Sequence, residues 1–177
     1  DENAADGCAW VADPSQVHEI PVSESEVKYR ITLRNAGNTT LRDVVAYDVL
    51  PYIRDTGLLA NPPARGSQFN LLLDSVESSS ANLQLAYSAS TNPARPQVNP
   101  GAAGTVDDWG AGASGKRAIR MTVTGDLAAG ATTQAVFVAA VAPGSPTNKI
   151  ACNTVAVDSN ETLPAEPLAV CVTRAAG

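Results

Sequence analysis

Aromatic side chains are scarce in this chain, 5% of its 177 residues, and it has one histidine, one methionine and three cysteines. Each shortage excludes something. With so few large rings and an apolar content of 44%, the core must be filled by small branched side chains, which suits thin packed sheets. The single His18 leaves a zinc site short of the three or four converging donors it needs. It also sits in a segment flanked by proline with no nucleophile motif about it, so Ser–His or Cys–His catalysis has no base. Acidic residues outnumber basic ones, 18 to 12, and the formal charge of −6 leaves no footprint for nucleic acid. No run approaches the ~20 consecutive apolar residues of a membrane-spanning helix, and no Gly-rich phosphate loop separates a strand from a helix. No cofactor is expected. The chain opens without a charged, apolar, small-residue leader and reads as a mature or excised soluble piece.

What is present is alternation. From Val27 to Pro51 two β-favouring runs flank Asn35-Ala36-Gly37-Asn38. In the first, Val27, Tyr29, Ile31 and Leu33 share one face while Lys28, Arg30, Thr32 and Arg34 share the other, the period of a half-buried strand. The second run ends at Pro51, which cannot donate to a ladder. The residues between them tolerate positive φ, so the stretch reads as a β-hairpin. A second hairpin is expected from Ser67–Val76 and the alternation of Leu83, Leu85 and Tyr87. Ile119, Met121 and Val123 mark another strand. Val136 to Val141 is apolar on both faces and should be central in its sheet. Val17 to Val22, carrying Pro21, should be an edge, and Cys8 to Ala12 a short strand. The whole predicts one domain over 1–177, all-β, an antiparallel immunoglobulin-like sandwich with Greek-key connections and nine or ten strands.

Three cysteines leave at least one outside any intramolecular pair. A hairpin of Ala151 to Val157 with Pro167 to Thr173 sets Cys152 opposite Cys171, Ala151 opposite Val172 and Val155 opposite Leu168. A Cys152–Cys171 disulfide follows from that register. Cys8 is either a small buried thiol or a staple from the first strand to one of the last two. Either disulfide points away from a reducing cytosol.

The segment from Ser90 to Lys116 is the least regular, and at this length it exceeds the usual ~4 to 6 residues of a connection. Trp109 beside Asp107 and Asp108 is a candidate binding platform, the ring for stacking on a sugar or protein and the carboxylates for calcium. The competing reading has Trp109 packed down on the sandwich and the two Asp solvated or capping a turn. No carboxylate pair of the kind a glycosidase needs is identifiable from sequence.

The residues Val27-Lys28-Tyr29-Arg30-Ile31-Thr32-Leu33, Asn35-Ala36-Gly37-Asn38-Thr39-Thr40-Leu41 and Asp48-Val49-Leu50-Pro51, with Asp126 to Ala131 leading into the apolar run Val136 to Val141, and Asn153-Thr154-Val155-Ala156-Val157 near the end, carry a resemblance. The pattern resembles the conserved-repeat surface domain of bacteria, a family of unknown function found in tandem in large secreted or wall-anchored proteins. It covers roughly the span from Val22 to Val157 and is interrupted by a long insertion between Tyr52 and Arg117. The resemblance implies an immunoglobulin-like spacer, stalk or adhesive module outside the cell, without catalysis, whose partners are an extracellular protein, a glycan or neighbouring repeats. Alternatives are a carbohydrate-binding module using the long loop and, behind it, a secreted hydrolase. Similar surface domains cross-link a Lys to an Asn with help from a buried acid, and Lys28, Asn153 and Asp48 are the residues for that bond here. The simpler reading has Asp48 and Asn153 hydrogen-bonding at strand ends.

Overall fold

The computed structural model of the chain describes Trp10 and residues 13–176. Their regular structure is all strand: β1 (Val17–Ile20), β2 (Glu26–Arg34), β3 (Val45–Val49), β4 (Leu71–Ser79), β5 (Leu83–Ser88), β6 (Ala118–Val123), β7 (Thr132–Val141), β8 (Ile150–Asn153), β9 (Val155–Ser159), β10 (Thr162–Ala165) and β11 (Val170–Arg174). Three sheets result, with strand orders β2-β7-β4, β10-β9-β3-β6-β5 and β1-β11-β8. The expected strand at Cys8 to Ala12 lies outside the described residues except for Trp10, over whose ring the Arg30 guanidinium sits at 4.6 Å.

Eleven strands appear where nine or ten were expected because the last hairpin is divided. The chain leaves one sheet after Asn153 and enters the next at Val155. Its returning partner is divided at the same level. Ala165 pairs with Val157 and Val170 with Asn153, so five steps on one side face four on the other, and the extra residue is taken up in the segment 166–169, which belongs to no strand. The predicted partners Ala151–Val172 and Cys152–Cys171 meet. Val155 and Leu168 do not, since Leu168 falls in that segment between β10 and β11 and is 79% exposed.

Neither of the other predicted hairpins forms. β2 pairs with β7, and β3 with β6 and β9; β4 pairs with β7, and β5 with β6. In both cases the chain crosses from one layer to the other. The reason lies in the burial of β3, all five of whose residues are buried. A strand buried on both faces needs a neighbour on each side and a layer above and below, whereas β2, charged on its outer face, suits an edge. The Asn35 turn is therefore an arch. The buried Asn35 donates Nδ2–H bonds to the carbonyls of Thr39 (2.7 Å) and Leu127 (2.9 Å) and accepts from the Gly37 amide, tying the arch to the turn before β7. Positive φ falls at Asp43 (51°), not within Asn35–Asn38.

Two apolar clusters lie on the two faces of the five-stranded sheet. The larger fills the space between sheets with Val27, Ile31, Leu73, Ile119, Met121 and Phe137, among others. The smaller joins Val45, Tyr47 and Val49 to Leu58 and Val98, with Tyr52 and Trp109 packed against it. β7 is central in its sheet, as its two apolar faces require. On its outer side Val136 and Val138 are buried opposite Arg30 and Lys28, whose aliphatic stems cover them.

Candidate functional site

The sheet junction at Thr154 gathers most of the buried polar chemistry. Asp48, on β3, has no exposed surface, and its Oδ2 accepts a 2.9 Å bond from Asn153 Nδ2. The Tyr29 hydroxyl is buried on the inward face of β2. Among the described residues this hydroxyl, Asp48 Oδ1 and Asn153 Oδ1 make no hydrogen bond. Burial raises the Asp48 pKa to about 6, against the pull of the Asn153 bond and the positive charge of Arg65. Burial also pushes the Tyr29 phenol up, with the nearby Asp48 carboxylate adding to the effect. The cluster is thus an acid that keeps its proton into mildly acidic conditions, set beside a carboxamide and a phenol.

Next to it lies a second buried network. Asp55 has no exposure and accepts from Arg65 Nε (2.9 Å), Ser67 Oγ (2.6 Å) and the Ser67 amide (3.1 Å). Arg65 continues to Thr154 Oγ1 and the Leu50 carbonyl. Thr154 donates to Glu166, which also accepts from the Leu58 amide. Ser67 Oγ in turn accepts from the amide of Cys152 (3.0 Å). Three segments distant in sequence are locked together at the junction. Sequence reasoning passed over Asp55, Arg65 and Glu166; their one signal was ionisable residues set among prolines at Pro62, Pro63, Pro164 and Pro167, where a turn needs side-chain partners to close it.

Of the residues singled out for a cross-link, the structure brings together Asp48 and Asn153. Lys28 is elsewhere: it points to the outer face of β2, as its strand parity dictates, and its Nζ bonds Glu77 at 2.7 Å. The inward position beside the acid and the amide belongs to Tyr29.

Trp109 is half-buried. Its Nε1–H bonds the Ala94 carbonyl (2.7 Å), its ring meets Tyr47 at 5.7 Å between centroids, and Arg120 lies over it at 5.1 Å. Asp108 accepts from the Ser88 hydroxyl and the Ala89 amide, and the Ser88 bond holds its pKa below the usual carboxylate range. Asp107 is exposed. The long loop lies along the sheet, bridged at Pro93–Val106 and Tyr87–Gly110, and the buried Arg95 ties it to Leu58 through a 3.0 Å bond from Nε to the carbonyl. Cys152 and Cys171 form a disulfide with Cα atoms 4.0 Å apart; Cys8 lies outside the described residues. Among the described residues no group of three or more His, Cys, Asp or Glu is placed to hold a metal ion.

A groove of about 270 Å³ runs beside β2, floored by Ile31, Leu33, Asn153 and Val157 and rimmed by Leu168. No family model and no curated protein matches the chain.

Proposed function

We propose that the chain is a non-catalytic module of a bacterial cell-surface or secreted protein, a rigid extracellular link in a stalk rather than a catalyst. The observation that carries this reading is the placement of the first and last strands among the described residues. β1 and β11 lie side by side and parallel, so the chain enters at one end of the pair and leaves at the other, the geometry a linear string of modules needs. The crossings between sheets from β2 to β3 and from β4 to β5 support an immunoglobulin-like Greek key, and the repeat-like motif from Val27 to Pro51 supports kinship with bacterial surface repeats. The disulfide fits an oxidising compartment. Trp109 favours spacer over carbohydrate-binding module, because its ring is committed to Tyr47 and Arg120.

The test is an array of glycans and extracellular-matrix proteins probed with the folded domain, with and without calcium. The expected result is a blank. A saturable hit abolished by shortening residues 90–116 overturns the spacer reading in favour of an adhesin, and a sugar hit abolished by Trp109→Ala overturns it in favour of a carbohydrate-binding module.

A further inference from the structure

We propose that β1, β11 and β8 form a shear clamp, the element that carries tension through the domain; the inference rests on the spacer reading above. The four pairs of the parallel ladder run from Val17–Cys171 to Ile20–Arg174. Tension applied ahead of Val17 and beyond Arg174 pulls the two strands in opposite directions along their common axis. Every interstrand bond is then loaded at once. An antiparallel hairpin pulled at its open end breaks its bonds one at a time instead, which needs far less force.

The ladder parity identifies the bonds concerned. Ala175 N–H donates to the Ile20 carbonyl at 3.0 Å, while the Arg174 amide turns the other way, to the Lys149 carbonyl. Odd-numbered residues of β11 therefore face β1, and in a parallel ladder their partners are the peptide groups of His18 and Ile20. The amide of Glu19 faces away. The same parity makes Cys171–Cys152 a non-hydrogen-bonded pair on the β8 side, the closer of the two antiparallel pairings and the one that accommodates a disulfide.

Two features anchor the clamp. Ile20 and Val172 are 1% and 2% exposed and enter the main core beside Ala151, so sliding of either strand drags apolar surface toward water. The disulfide begins where the ladder begins, since Val17 lies opposite Cys171. Tension arriving along β11 passes directly from Cys171 to Cys152, and the 19-residue separation between them stays out of the load path.

The experiment is single-molecule force spectroscopy on the whole chain, held between reference domains and pulled from both ends. Ala175→Pro deletes the donor to Ile20 outside the core, and His18→Pro, read against His18→Ala so that loss of the side chain's own contacts cancels, deletes a donor within β1; Glu19→Pro introduces the same ring where no ladder amide among the described residues is lost. Each deletion should raise the unfolding rate at fixed load about tenfold, equivalent to ~1.4 kcal/mol, roughly one hydrogen bond. Glu19→Pro should behave as wild type. Reduction should lengthen the extension on unfolding by about 65 Å, from 19 residues at ~3.4 Å each. Thermal melts of the same variants separate a mechanical effect from a general loss of fold. If both deletions and the Glu19→Pro control unfold alike under load, the clamp is overturned, while the spacer reading still answers to the binding array. A saturable ligand there with the force signature intact would overturn the spacer reading alone.

Discussion

Asp48 is where burial acts most directly on titration. Its folded pKa of about 6 stands above the ordinary 3.8, so ionisation is harder in the folded protein than in the unfolded chain. The contribution to stability is complete below the ordinary value, where both states hold the proton. It is lost as pH rises through 6, leaving the fold weaker by about 3 kcal/mol. Asp48→Asn keeps an acceptor for Asn153 and removes the titration. Urea midpoints taken from about pH 4 to pH 7 should therefore fall for wild type relative to the variant; parallel profiles would refute the assignment. Asp55 is a buried carboxylate with a buried cation in contact. Asp55→Ala strands Arg65 in the interior and should cost about 4 kcal/mol in urea unfolding. Parity was legible at this scale: it put Lys28 outside and Tyr29 inside. The convergence of Tyr29, Asp48 and Asn153 was not, because three separate strands bring them together.

At the scale of elements, alternation located the strands and the choice of partner escaped it. Val27 to Leu33 and Ile119 to Val123 follow their predicted faces, since a two-residue period depends on local geometry alone. Pairing depends on what else competes for an edge. β3 is buried on both sides and takes β6 and β9, so proximity in sequence gave the wrong neighbour for β2. The last hairpin was the exception, because the Cys152–Cys171 register and the Ala151–Val172 contact satisfy the same face rule. The long loop was legible as irregular and proved to be a cover, holding Val98 and Trp109 against β3. Trp109→Ala should accordingly lower stability by about 3 kcal/mol in denaturant unfolding.

For the whole molecule, β3 couples the two apolar clusters, sending Ala46 to one and Val45, Tyr47 and Val49 to the other. Neither cluster can dissolve and leave the other its floor. Calorimetry should show a single transition, with near-ultraviolet signals from Tyr47 and Trp109 melting together with backbone structure; two separated transitions would mean the outer layer is an independent unit.

The connectivity that carries load also sets a timetable. β1 finds its partner in the last strand and β2 in the seventh, so the early part of the chain has no stable neighbour until most of the sequence is available. Closing such long loops before any contact rewards them makes folding slow, in the range of milliseconds to seconds. A chain still being synthesised therefore carries its early strands without the late ones that pair with them.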